Sequence, residues 1–375
     1  MTLLLLFLHL VAAPLQDAAA PTVPGWGYGY DSLKADLARW KSHPDVRIDS
    51  FGASAQGRGL WMVTVTDASD SLAPVVGRTG PKRRVLVHAR THPDEVQAFH
   101  VAREMIRTLL DTTAQASELR RDFVFQFVPQ YNPDGVELGR ERTNAHGVDL
   151  ESNWENASPE PEVLALKGLF QRFMNGPIPV EVALNLHSDQ YNDTRFFVYH
   201  VEAGTSYLYT ELEKRFIAAI QAPFPGRIED WDFLTSWTTG PALRYPEGYW
   251  WSHHRESVLA LTYEDNNRTG AGGFDTTARA LVLGTAAWLR SIPQSARIAV
   301  ASRHVHLEAG GVRIQDPGAR WEVLDMQGRH LTHGLLEPGQ TLLTWAQLVP
   351  GTLRVLIVTA PGKIPDCVLL PALLR

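Results

Sequence analysis

Arg84-Val85-Leu86-Val87-His88-Ala89-Arg90-Thr91-His92-Pro93-Asp94-Glu95-Val96 holds the reading of the whole chain. Residues 84–88 are a short apolar run suited to a buried strand. A polar loop with a His and a Glu three positions apart comes next, and a helix is expected from about Val96 to Leu110. The same grammar recurs outward. Strands are expected at 123–128, 182–186, 196–199 and 258–263, and helices near 160–174, 204–220 and 275–290. Upstream, 27–45 reads as a helix capped by Asp31, with Leu33, Leu37 and Trp40 at helical spacing. Two strands, 46–51 and 60–65, are joined by the Gly52–Gly59 loop. Strands alternating with helices predict an α/β layer fold with a mixed central sheet flanked by helices. In such sheets chemistry gathers at the strand ends. Here His92, Asn132, His187 and Glu264 each succeed or end an apolar strand.

Composition narrows the chemistry. The 375 residues are 44% hydrophobic and 20% charged, which excludes a disordered chain. Lys and Arg number 35 against 41 Asp and Glu, so the basic footprint of a nucleic-acid binder is absent. The single cysteine, Cys367, supports neither a disulfide framework nor a Cys-rich metal site. Any metal must therefore be held by His and carboxylates. Residues 1–20 read as a signal peptide: Leu3 to Ala13 is apolar apart from His9, and Ala18-Ala19-Ala20-Pro21 suits cleavage. The run is too short for a helical membrane span, and the expected location is exported, secreted or at the cell surface. The segment 21–295 is expected to be the catalytic domain. From 297 to 375, short apolar runs alternate with Gly/Pro turns, predicting a small all-β sandwich domain.

His92, Glu95 and His187 together make a His₂Glu set, the donor set of catalytic rather than structural zinc, with one position left open. One Zn²⁺ per chain is expected there, to acidify water and polarise a carbonyl. Ligand histidines need an acceptor for the second ring nitrogen, and Asp149 is a candidate. Glu264, at the tip of an apolar strand, is the candidate general base, with Asp265 the competing choice. Arg142 fits the role of oxyanion stabiliser. A phosphate-cradling loop and a serine nucleophile elbow are both missing from the sequence.

These residues sit in a chain that resembles the M14 zinc metallocarboxypeptidase family. Gly52-Ala53-Ser54-Ala55-Gln56-Gly57-Arg58 resembles its G-x-S-x-x-G-R hairpin, and His92-Pro93-Asp94-Glu95 its H-x-x-E zinc motif in the cytosolic-carboxypeptidase variant. Asn132-Pro133-Asp134-Gly135-Val136, Arg142, Gly147-Val148-Asp149-Leu150 and Asn153-Trp154 resemble the N-P-D-G … R … G-V-D-L-N-R-N-W block. Ser158-Pro159-Glu160-Pro161-Glu162-Val163 is similar to the family's next segment, and the match covers roughly 28–292. The resemblance implies a phosphorylase/hydrolase-like fold. It implies zinc on His92, Glu95 and His187, with Glu264 activating water and passing its proton to the leaving amine. Arg142 would stabilise the oxyanion and Asp149 would orient His92.

One departure bears on substrate. Where the family has Asn-Arg, whose side chains grip the substrate's terminal carboxylate, this chain has Glu151-Ser152. Serine lacks the bidentate fork of arginine, and an anionic Glu151 would repel a carboxylate. The expectation is an exported zinc peptidase with an altered clamp, acting on a peptide or amide. Arg140, Arg255 or Arg268 could instead meet a carboxylate from another direction, or a loop shift could place Glu151 outside the pocket. Tyr245 and Tyr249 are both candidates for a pocket-lining tyrosine, with packing the alternative for Tyr249. Competing functions are a zinc deacylase or amidase on N-acyl amino acids or cell-wall peptides, and a catalytically silent binding protein. In the tail, Trp321 to Arg329 and Leu348 to Val358 resemble type IX secretion sorting domains, implying outer-membrane secretion machinery as a partner. A plain accessory β domain is the alternative.

Overall fold

The computed structural model describes residues 28–78, 80–189, 194–237, 243–266 and 273–292. In the tail it describes 305–308, 311–314, 319–324, 330–337, 340–344, 348, 354–359 and 366–370. The expected signal peptide, Arg268, and the turns 325–329 and 349–353 on which the sorting-domain resemblance rests lie outside the described residues.

Helix α1 (Tyr30–Trp40) begins at Gly29, which offers no side-chain cap. Asp31 therefore sits inside the first turn and pairs with Lys34 at 2.7 Å rather than capping the helix. There its charge still complements the helix dipole. Strands β1 (Val46–Ala53) and β2 (Gly59–Val65) form an antiparallel pair. Then come β3 (Arg83–Ala89), α2 (Val96–Leu110), α3 (Ala114–Asp122) and β4 (Phe123–Val128). Helix α3, capped by the Thr113 hydroxyl accepting from Ala116 N, is an addition to the sequence reading. The short α4 (Pro133–Glu137) and then α5 (Pro161–Met174) precede β5 (Val180–Asp189) and β6 (Phe196–His200). The remainder is α6 (Tyr207–Gln221), β7 (Leu234–Trp237), α7 (Pro246–His254), β8 (Leu259–Asn266) and α8 (Phe274–Ser291).

The eight strands form one sheet in the order β1-β2-β4-β3-β5-β8-β6-β7. Pairs β3/β4, β3/β5, β5/β8 and β6/β7 are parallel, whereas β1/β2, β2/β4 and β6/β8 are antiparallel, so the sheet is mixed. Helices cover both faces. On one, Phe99, Met105 and Ile106 of α2, Phe216 of α6 and Leu281 of α8 pack on Val85, Val87, Val182, Leu184, Leu186, Leu259 and Leu261. On the other, Leu166 and Phe170 of α5 and Trp250 of α7 pack on Leu86, Ala183 and Ala260. Each fully buried Val, Leu, Ile, Phe or Met side chain among these contributes about 1.5–3 kcal/mol. Close packing reaches the backbone where α8 meets α6: a Cβ on Gly284 would lie 2.6 Å from the Ala219 carbonyl oxygen.

Strand periodicity then assigns the polar positions. Side chains alternate faces, so Asn185 and His187 fall on the face of Ala183. By the same count Thr262 and Glu264 fall on the face of Ala260.

The described residues of the tail form two small antiparallel sheets. One is β13 (Leu342–Thr344), β10 (Gly311–Ile314) and β9 (Val305–Glu308) in that order; the other is β12 (His330–Leu335), β11 (Arg320–Leu324), β14 (Arg354–Thr359) and β15 (Asp366–Leu370). A single apolar cluster joins Val312, Ile314 and Leu343 of the first with Trp321, Val323, Leu356 and Val358 of the second.

Candidate active site

The chain leaves β3 through an unusual residue. Arg90 has φ of 59°, a left-handed conformation that non-glycine residues rarely adopt. Its buried guanidinium donates to the Tyr28 carbonyl at 2.5 Å and the Pro93 carbonyl at 3.0 Å, fixing the turn that bears His92. Asn132 braces the same turn, donating from Nδ2 to the Thr91 carbonyl at 3.1 Å while its Oδ1 caps α4 by accepting from Gly135 N at 3.0 Å. Gly135 sits so close that a Cβ would meet the Thr143 carbonyl oxygen at 2.4 Å and Pro93 Cγ at 2.5 Å.

Within this frame the three expected donors converge. Ligand atoms of His92, Glu95 and His187 lie within 4.8 Å of one another, and these three are the only such metal-capable group among the described residues. His92 Nδ1 is 2.7 Å from Glu95 Oε1, and His187 Nδ1 is 2.8 Å from Glu95 Oε2. Ser188 N also donates to Glu95 Oε2, at 3.2 Å. Both histidines thus turn Nδ1 towards the shared carboxylate and Nε2 outward. His92 Nε2 meets Asp149 Oδ1 at 3.3 Å. The donor set fits zinc: two imidazoles and one carboxylate gathered at strand ends, with the second ring nitrogens occupied elsewhere.

Glu264 stands beside this group because β5 and β8 are parallel neighbours with His187 and Glu264 in register. Its Oε2 is buried with no hydrogen-bond partner among the described residues. Burial pushes its carboxyl up to about 8; the His187 charge opposes this and the Glu95 and Asp189 carboxylates add to it. A nearby dication would pull that value down by Coulombic attraction. Asp265, the competing choice, faces the other way, accepting from Tyr263 Oη at 2.9 Å and pairing with Arg195 at 3.2 Å.

Arg142 is largely exposed and pairs through Nε with Asp149 Oδ2 at 2.9 Å, which keeps its guanidinium near the His92 side of the group. Burial alone would raise Asp149, but its contacts with His92 and Arg142 hold it well below the usual carboxylate range. Glu151 and Ser152 diverge: Ser152 is exposed, whereas Glu151 is 8% exposed and points inward. Tyr245 is half-buried and carries the Arg244 guanidinium over its ring at 4.7 Å. Tyr249 is packed among Trp154, Phe170 and His253 in the core. Sequence reasoning does not single out Arg90, Asn185 or Glu247. The left-handed backbone at Arg90 has no local sequence signal; Asn185 is visible there only as sharing the face of His187.

The zinc carboxypeptidase (peptidase M14) family model matches residues 36–191. A cytosolic carboxypeptidase 6 of Caenorhabditis elegans is 28% identical over 170 residues, covering 44% of this chain and 36% of that protein. A cytosolic carboxypeptidase 1 of Mus musculus is 36% identical over 152 residues, covering 38% of this chain and 12% of that protein. The aligned stretch thus spans about a third or less of each relative. Among solved structures, a metallo-carboxypeptidase from Burkholderia cenocepacia superposes with a TM-score of 0.59 at 21% identity, covering 70% of both chains. One from Pseudomonas aeruginosa gives 0.58 at 23%, covering 70% of this chain and 69% of that one. These two show the shared fold. Over residues 36–191 the chain is thus similar to the zinc carboxypeptidase family, whose members are zinc-dependent.

Proposed function

We propose that the chain is a zinc-dependent peptidase of the M14 type that hydrolyses a peptide or amide bond with Glu264 as general base. The observation that carries this reading is the register of β5 on β8, which sets a buried carboxylate oxygen without a partner among the described residues beside the His₂Glu group. Zinc on His92, Glu95 and His187 would polarise the scissile carbonyl and acidify water. Glu264 takes the proton from the attacking water and returns it to the leaving amine, so that one carboxylic acid and one amine are released. The Arg142 guanidinium steadies the charge that grows on the carbonyl oxygen. Asp149 accepts the Nε2 proton of His92 and holds the ring in place.

Ser152 stands where the family's arginine would grip a terminal carboxylate, and it has no cationic group to offer. The preferred substrate is therefore an amide whose subsite group is not a simple free carboxylate, which brings N-acyl amino acids and cell-wall peptides within the same chemistry. Export is part of the proposal on the strength of residues 1–20 and the tail motifs. The test is a digest of a peptide library with free, amidated and acylated ends, comparing the parent with Glu264→Gln at measured zinc content. Cleavage by the parent and none by a variant that still holds one zinc is expected. Equal turnover by both proteins would remove Glu264 from the mechanism.

A further inference from the structure

Glu151 occupies a clamp position in the resemblance, yet its surroundings are those of a buried support. Its Oε2 lies 3.2 Å from His187 Nε2. Asn185 Nδ2 donates to both Glu151 oxygens, at 3.0 and 3.1 Å, and reaches Glu247 Oε1 at 3.2 Å. Glu247 in turn accepts from Thr262 Oγ1 at 2.8 Å, so the support runs from β5 to α7 and β8. The backbone arranges this economically. Asn185 and His187 are two residues apart on β5 and share a face. Asp149 Oδ1 accepts from Glu151 N at 2.9 Å, an Asx-type turn that sets the two carboxylates in one fixed loop. One of them meets His92 Nε2 and the other meets His187 Nε2.

We propose that Glu151 is a positioning residue of the metal centre: it fixes His187 through Nε2 as Asp149 fixes His92, and it does not wall the substrate subsite. The inference rests on the zinc-peptidase reading and deepens it. A carboxylate accepting the second ring proton sets the tautomer and orientation of a ligand histidine and makes its other nitrogen a stronger donor. An asparagine at 151, one methylene shorter and uncharged, could supply neither the reach nor the charge. The chain has thus exchanged a residue that selects a substrate end for one that supports both imidazoles with carboxylates.

The test is zinc affinity of the full chain, measured by competition with a chromophoric chelator, alongside the melting point of the metal-free protein. Glu151→Gln is expected to weaken zinc binding by about 10–100-fold. The metal-free melting point is expected to fall as well, because Glu151→Gln removes the carboxylate that pairs with the buried His187 imidazole. The visible spectrum of the cobalt(II)-loaded protein should shift in Glu151→Gln and stay put in Glu155→Gln, an exposed carboxylate of the same loop. Parental zinc affinity in folded Glu151→Gln overturns the proposal. So does a lower metal-free melting point with affinity unchanged, which is the mark of a merely structural residue. Should Glu151→Gln fail to fold, Glu151→Asp decides: it keeps the charge, falls short of His187, and is expected to lose roughly tenfold in affinity. A parent chain that binds no zinc would sink the peptidase reading itself, whereas zinc-binding parent and variant of equal affinity would sink this inference alone.

Discussion

Adding one methyl group at either of two glycines should have opposite effects. At Gly135 a Cβ would lie 2.4 Å from the Thr143 carbonyl oxygen and 2.5 Å from Pro93 Cγ. Ordinary contacts between such atoms lie near roughly 3.5 Å, so the neighbours must retreat by about 1 Å. Neither can rotate away, since one is backbone and the other a proline ring. Overpacking of this kind costs about 1–3 kcal/mol. At about 2–4 °C per kcal/mol for a domain of this size, Gly135→Ala should melt several degrees below the parent. The effect on function should be larger, because Pro93 is bonded to His92 and Thr143 to Arg142. A displacement of about 1 Å in groups that must hold a reacting centre costs on the order of 100-fold in rate. Gly168 is the internal control: it lies on α5 and a Cβ there meets nothing within 4 Å. Gly168→Ala should stabilise by about 0.8–1 kcal/mol through helix propensity alone and leave turnover unchanged. Calorimetry of the metal-free proteins and kcat/KM on a cleaved peptide measure both effects. Parental melting and parental turnover in Gly135→Ala would refute the argument that this contact registers the His92 turn against the Arg142 loop.

Acid should destabilise the fold through His88, which is 3% exposed and whose Nε2 has no hydrogen-bond partner among the described residues. Burial pushes its imidazole down to about 3 from an ordinary 6.5; the Glu151 carboxylate opposes this and the His187 charge adds to it. The folded chain keeps His88 neutral while the unfolded chain protonates below 6.5, so stability is full above that pH and falls as pH drops towards 3. Between about pH 7 and pH 5 the loss is about 2 kcal/mol at about 1.36 kcal/mol per unit. Urea unfolding of His88→Gln should lack that part of the decline; an identical decline in both proteins would remove His88 as its source. Ser152→Arg, at an exposed position, should shift cleavage towards free carboxyl ends by roughly tenfold or more, because a charge-assisted contact is worth about 1.5–3 kcal/mol. No change in the ratio of free to amidated substrates would place position 152 away from the substrate. Chelation should abolish turnover and one equivalent of zinc should restore it; turnover that survives a chelator with no zinc bound would end the metal-dependent reading.

The strand–loop–helix run from Arg84 to Leu110, the candidate donors His92, Glu95 and His187 and the neighbouring Glu264 are all legible in the sequence. Their signals are local: apolar runs of strand length, polar residues at the ends of those runs, and motifs a few residues long. The helix Ala114–Asp122 is not legible, because its pattern is mostly polar and only Ala116, Leu119 and Arg120 are buried. Asp31 reads as a cap, although it lies inside the helix, because a carboxylate one position further along looks the same in sequence. The choice between Glu264 and Asp265 is open in sequence because adjacent carboxylates differ only in the face they take. The sheet separates the two through strand alternation against two covered faces, with Glu264 on the face of His187 and Asp265 on the opposite one.

What the linear chain determines is therefore the cast and the periodicity: which donors lie at strand ends, and which residues share a face once a strand exists. Tertiary structure alone decides who meets whom. Placing β8 beside β5 sets Glu264 against His187, and folding the 144–154 loop over the sheet turns Glu151 inward to His187 while leaving Ser152 in solvent. The physical reason is that a strand imposes a period of two on its side chains, whereas an irregular loop imposes none. In a loop, direction is set by the hydrogen bonds that distant residues offer, here the amide of Asn185 and the outward ring nitrogen of His187.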